Sequence, residues 1–179
     1  ASAMNDMFQA QKYFDQAVNG VEKDSLFTLS LNGGEGKFGM LDIIDEYGGT
    51  PAANLAEYYA GTAYLRLKDY KNAIEHLNKF SSEDEILAPL AKGNIGDAFV
   101  QLNQLDDALD YYEQAAKMRD NEYTTPMYLY KAGTISLDLG KADKALTYFE
   151  TIKEKYPNAS EMAMVEVLIG KAKVLANKY

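Results

Sequence analysis

Small and apolar residues recur along this chain at helical spacing, most clearly over residues 60–80, AGTAYLRLKDYKNAIEHLNKF. Gly61 stands three residues before Tyr64, Leu67 precedes a polar break, Ala73 stands four before Leu77, and Phe80 closes the run. Residues three and four apart share one face of a helix, so the stretch predicts two helices joined by a tight turn. The same order returns as Gly96, Phe99, Leu102, Ala108, Tyr112 and Ala115, then as Gly133, Ser136, Leu139, Ala145, Phe149 and Ile152. A small residue at a fixed register lets two helices approach closely, and aromatic residues fill the gaps between hairpins. Glycine inside a helix costs about 1 kcal/mol relative to alanine, so three glycines at one register point to a packing gain larger than that cost.

The pattern predicts an all-α chain of about nine helices in antiparallel pairs, wound as a right-handed superhelix. We read one domain over 1–179: an opening repeat at 1–50 with an insertion at 20–35, repeats at 51–85, 86–122 and 123–159, and a capping helix at 160–179. The first helix spans 3–19, with Ala10 and Tyr13 at the Gly61-to-Tyr64 spacing, and its partner is placed at 36–47. Between them FTLSL alternates apolar and polar residues like a short strand. Thr50-Pro51 opens a helix, Ser82 with Glu85 has capping-box spacing, and Pro89 and Pro126 mark the starts of later first helices.

A small–aromatic–small helical hairpin repeated every 35 to 37 residues resembles the tetratricopeptide repeat. The usual Trp register instead holds Glu57, Lys92 and Leu129, and Pro157 alone occupies the closing Pro position. FQAQKYFDQA, LDIIDEYGGTPAANLAEYYAGTAYL and KGNIGDAFVQLNQLDDALDYYEQA further resemble the soluble domain of membrane-anchored repeat proteins of Bacteroidetes-type bacteria, similar to the ancillary subunit of the Sec translocon that works with periplasmic chaperones. That resemblance implies a bacterial envelope setting, with an N-terminal transmembrane anchor in the parent protein and this domain in the periplasm. The chain begins with Ala rather than Met and enters a helix at once, which we read as a processed or truncated piece.

Composition narrows the chemistry. With 47% hydrophobic residues over 179, the chain can bury a substantial core or a continuous solenoid. A net charge of −9 without a concentrated run of Lys and Arg argues against nucleic acid. The absence of Cys removes disulfides, thiol catalysis and cysteine-bound metal. No apolar run approaches the roughly 18 residues of a membrane helix, so no membrane contact by this fragment is expected.

Catalytic readings are weak. Gly34, Gly36 and Gly39 form a literal G-x-G-x-x-G between a strand-like run and a helix. A dinucleotide site needs that order within parallel strands, and the downstream sequence is helical. Nucleotide binding by this loop is kept as a remote alternative. His76, the single histidine, is expected at an ordinary solvent edge, and the acidic pairs Asp45-Glu46 and Asp106-Asp107 fall on different helix faces. No enzyme, cofactor or metal is expected.

What remains is the inner surface that first helices line in stacked repeats. Counting from the glycines gives Leu55, Tyr58, Thr62, Leu65 and Arg66, then Leu90, Gly93, Asp97, Val100 and Gln101, then Met127, Tyr130, Thr134, Leu137 and Asp138. The opening helix adds Met4, Met7 and Phe14. Met repacks easily and Tyr gives large contact area at low entropy cost, so this stripe suits a protein or peptide segment held in a groove. Asp97 and Asp138 would favour basic residues in it. A second reading uses the same stripe to form a homodimer.

Overall fold

A computed structural model describes residues 1–177. Among these are ten helices: α1 (Ser2–Asn19), α2 (Lys23–Asn32), α3 (Met40–Glu46), α4 (Pro51–Arg66), α5 (Tyr70–Lys79), α6 (Leu87–Gln101), α7 (Leu105–Lys117), α8 (Thr124–Asp138), α9 (Ala142–Lys155) and α10 (Met162–Leu175). The described residues are all-α, with one isolated bridge pair between Gly34 and Lys37. They gather in two compact units, α1–α5 within Ala1–Ser81 and α6–α10 from Ser82 onward.

In the first unit α1 buries Met7, Ala10, Phe14 and Ala17 on one stripe. The expected strand FTLSL is instead part of α2, which packs along α1. Its buried residues are Phe27, Ser30 and Leu31, spaced three and four apart, and that helical spacing overrides the local alternation. Ser30 is fully buried because its hydroxyl donates to the Ala10 carbonyl at 2.9 Å, meeting the requirement that an enclosed polar group be paired. Phe14 meets Phe27 edge-on at 5.5 Å and Tyr59 at 4.8 Å. The partner of α1 is therefore α2, and the helix expected at 36–47 is the shorter α3, which packs mainly along α4. The helix count thus rises to ten.

The Thr50 hydroxyl accepts from Ala53 N–H at 3.2 Å with Pro51 at the first helical position, so α4 starts where the Thr-Pro pair predicts. Asp69 caps α5 by accepting from Asn72 N–H.

The second unit repeats one hairpin twice, α6 with α7 and α8 with α9, and adds α10 against α9. The starts of α6 and α8 are fixed by side chains other than the expected Ser82–Glu85 box. Asp84 accepts from the N–H groups of Ile86 and Leu87 at 2.9 and 2.7 Å, and these two donors hold its carboxyl below the usual range. Asn121 does the same for α8, accepting from Tyr123 and Thr124 N–H. Aspartate at 84 reaches the free helix donors that Glu85 does not.

The glycine register explains the hairpins. A β-carbon at Gly96 would lie 2.6 Å from Tyr112 Cε1, one at Gly133 2.5 Å from Phe149 Cε1, and one at Gly61 2.5 Å from Leu77 Cγ. Each bulky residue stands sixteen positions after its glycine, on the second helix of the pair. Seven residues after each glycine, Lys68, Asn103 and Gly140 adopt φ of 64°, 56° and 72° and reverse the chain.

Candidate functional site

Within the first unit the predicted stripe runs along α4. Leu55, Tyr58, Thr62 and Leu65 are half-buried and Arg66 is exposed. Tyr58 leans on Phe80, with ring centroids 5.2 Å apart. Burial raises its phenol above the ordinary value, with Thr62 opposing the shift.

Within the second unit Leu90, Val100, Met127, Tyr130 and Leu137 each touch the core while keeping part of their surface in solvent. Tyr130 rests edge-on against Phe149, and Thr134 is half-buried. The same register on α10 falls at Met164, Val167, Lys171 and Val174, all exposed. The second unit therefore carries a row of apolar side chains over three successive first helices.

Four expectations need correction. Met7 and Phe14 belong to the core of the first unit, and from that trio only Met4 is substantially exposed. Gly93 is buried because Tyr128 lies over it, so closely that any β-carbon would overlap the ring. Asp97 is not a free charge. It accepts from the Tyr112 hydroxyl at 2.5 Å and pairs with Lys131 at 2.7 Å. Asp138 remains exposed at the end of α8. His76, expected at a solvent edge, sits in the seam between α4 and α5, where its Nδ1 is 2.6 Å from Glu57 and its ring stacks on Tyr64 at 5.3 Å. Glu57 occupies the register where the repeat usually has Trp, so the seam gains a mostly enclosed polar pair in place of an apolar wedge.

The glycine loop does not have the order a dinucleotide site requires. It follows α2 rather than a strand and leads into a helix of seven residues. Gly33 and Gly36 take positive φ, and Gly39 abuts the Leu31 carbonyl, so these glycines serve a tight helix-to-helix turn. Among the described residues no cluster of potential metal ligands occurs.

Sequence reasoning missed a set of tyrosine–carboxylate pairs in the second unit. Tyr112 donates to Asp97, Tyr148 to Glu113 and Tyr156 to Asp120, each at 2.5 Å. Burial raises all three phenols, and the adjacent carboxylates raise them further, Tyr156 to about 12. Burial alone would raise the Glu113 carboxyl, but Lys144 and Tyr148 outweigh it and hold the group below its usual range. These pairs act as structural clasps: Tyr112 and Tyr148 each join two helices, and Tyr156, just after α9, holds the loop between α7 and α8.

Two surface hollows lie off the predicted row. One of about 500 Å³ is bordered by Phe8, Lys12, Asp15 and Tyr59 in the first unit. Another of about 230 Å³ is walled by Leu129, Tyr148 and Tyr156 in the second. Among the described residues no helix is long and apolar enough to cross a membrane.

A family model described as tetratricopeptide repeat matches residues 94–160, and a second of the same description matches residues 55–84. No curated protein matches by sequence. The crystal structure of MamA protein aligns with a TM-score of 0.66 at 20% identity, covering 94% of this chain and 83% of that one. Bacillus thuringiensis PlcR, crystallised with the peptide PapR7 and DNA, aligns with a TM-score of 0.57 at 14% identity over 95% of this chain, which spans 64% of the PlcR chain. Both likenesses are of fold. Repeat models that together span more than half of the residues, on a structure whose helical hairpins close over glycine at the expected register, establish this chain as a member of the tetratricopeptide repeat family.

Proposed function

We propose that this protein is a non-enzymatic scaffold that captures a segment of another protein on the inner row of its first helices. The observation that carries the reading is the set Leu90, Val100, Met127, Tyr130 and Leu137: apolar side chains at repeat-equivalent positions, seated on the core and left partly in solvent. Five such residues on adjacent helices make a contiguous apolar strip, which soluble proteins usually reserve for contact. In the first unit Leu55, Tyr58, Thr62, Leu65 and Arg66 offer the same register on one helix. PlcR, a distant likeness in fold, was crystallised with a bound peptide, which agrees with this use of the architecture.

The occupant on this reading is an apolar segment. Its preference for basic residues rests on Asp138 alone, since Asp97 is engaged by Lys131 and Tyr112. The setting proposed for this capture, suggested by the segment resemblance alone, is protein translocation or chaperoning in the bacterial envelope, with an anchor in the parent protein holding the domain near the inner membrane. A homodimer through the same row is the second reading, favoured by the exposure of Met164 and Val167 at its edge.

Peptide-array capture by wild type and by Tyr130→Ala tests the proposal. Truncating a buried aromatic anchor typically costs about 2 kcal/mol of binding, a roughly thirtyfold loss. Tyr130→Ala should therefore lose apolar peptides while a melt shows it folded. Equal capture by both folded proteins would move the site off this row. Loss of a concentration-dependent dimer without any change in capture would support the dimer.

A further inference from the structure

Besides its core stripe, α1 carries a second set of side chains on one face. Phe8, Gln11, Lys12, Asp15, Gln16 and Asn19, spaced three and four apart, stand on the side of the helix away from the buried Met7, Ala10, Phe14 and Ala17. With Tyr59 of α4 they border the hollow of about 500 Å³ in the first unit. Phe8 is 66% exposed there, a large apolar side chain left in water. Lys12 and Asp15 are both exposed and three residues apart, a spacing at which a helix allows a pair. Among the described residues neither makes an ion pair.

The six positions mirror one another about the point midway between residues 13 and 14, Phe8 with Asn19, Gln11 with Gln16 and Lys12 with Asp15. A second α1 laid antiparallel, on a two-fold axis through that point, therefore meets the first residue for residue. Each Lys12 then faces Asp15 of the other copy, so the charge match is made twice. Each Gln11 amide faces a Gln16 amide, and both groups donate and accept. Each Phe8 comes over Asn19 of the other copy, whose side chain is folded back on the Asp15 carbonyl at 2.9 Å, and enters the hollow walled by Tyr59. A parallel pairing would set Lys12 on Lys12. A uniformly acidic or basic segment would match one of the two charges and oppose the other.

We propose that this outer face of α1 is a self-association surface, on which a second copy of the chain docks antiparallel through Phe8, Lys12 and Asp15. Its charges and its one large apolar side chain complement themselves under a two-fold axis, which singles out the same helix as the occupant. One helix pair is a small contact beside the roughly 1,200–2,000 Å² of a stable interface. The dimer is therefore weak and concentration-dependent, and salt loosens it by screening the exposed charge pairs. The surface belongs to the first unit and shares no residue with the row of Tyr130, so neither reading depends on the other.

Sedimentation of the full chain over a range of concentrations, combined with charge reversal, is the test. Wild type is expected to dimerise, and Phe8→Ala to weaken the dimer about thirtyfold or more. Lys12→Asp and Asp15→Lys should each weaken it about tenfold or more, because both pairs become like-charge contacts. Mixing those two variants should bring association back, since every contact between them again joins opposite charges. The chain carrying both changes should dimerise like wild type, with the same net charge. Tyr130→Ala should leave the dimer unchanged. The altered side chains are exposed, so each variant should melt like wild type, and recovery on mixing reports on folded protein. A chain that stays monomeric up to millimolar concentration would overturn the proposal, as would a dimer indifferent to Lys12→Asp or a mixture that associates no more tightly than its parts. A dimer lost in Tyr130→Ala but kept in Phe8→Ala would also overturn it and place self-association on the row.

Discussion

The α8–α9 hairpin and α10 share a glycine register and a left-handed turn, yet differ in what the glycine touches. Gly133 sits against the fully buried Phe149, while Gly170 faces open space. The turn and the glycine are thus properties of the helix that bears them. The packing that normally offsets the cost of a helical glycine comes from the helix laid over it. Where that helix is present, glycine is a fitted contact; where it is absent, glycine is a destabilising residue with a vacant surface.

The sharpest break in this comparison is expected at a filled notch. Gly96→Leu drives a side chain into the Tyr112 ring, which is itself buried and clasped to Asp97, so it cannot swing aside. A loss of about 3 kcal/mol or more is expected, at the upper end of overpacking costs. Urea unfolding with an unchanged slope is the readout, and a midpoint equal to wild type would remove the close-approach argument.

Next in size is the Gly93–Tyr128 pair, a contact between successive first helices rather than within a hairpin. Tyr128→Ala should cost about 3–5 kcal/mol as a large-to-small core change. Gly93→Ala should also destabilise, but much less in a Tyr128→Ala background, because the ring it would strike is gone. A double-mutant cycle showing simple additivity would mean the two residues do not share that space.

A smaller effect is expected from alkali. The Tyr112, Tyr148 and Tyr156 phenols are held protonated in the fold above their unfolded value near 10. Their contribution is therefore complete below pH about 10 and is lost as pH rises through the folded values, about 12 for Tyr156. Stability should fall above pH 10 in wild type and fall less in Tyr148→Phe. Parallel pH profiles would show that the clasps do not select the protonated form. Smallest of all, Glu75→Gln removes an exposed Lys79 pair on α5 and should leave the urea midpoint indistinguishable from wild type; a clear shift would show that this solvent-screened pair matters.

Much of this fold was legible because close helix contact leaves a mark in composition. Gly61, Gly96 and Gly133, and the Ala and bulky residues twelve and sixteen positions later, identified the hairpins without any structure. The opening region was less legible. FTLSL alternates like a strand, and only the tertiary fit of Phe27, Ser30 and Leu31 against α1 makes it a helix. In the candidate site, Leu90, Val100, Met127, Tyr130 and Leu137 stand where counting from the glycines placed them. Asp97 and Gly93 do not behave as counted, because Lys131, Tyr112 and Tyr128 reach them from other helices, and such cross-helix partners have no fixed spacing in the sequence. His76 was misplaced for a related reason: Glu57 replaced an apolar residue and drew it inward.

The most direct test of the account is a pair of thermal melts, Gly133→Leu beside Gly170→Leu, each against wild type. One register, one substitution and two different surroundings isolate the role of the covering helix. The account predicts that Gly133→Leu loses several kcal/mol. It predicts that Gly170→Leu holds or gains up to about 1 kcal/mol, since leucine has the better helix propensity. Equal losses at both sites, or a Gly133→Leu protein as stable as wild type, would contradict it.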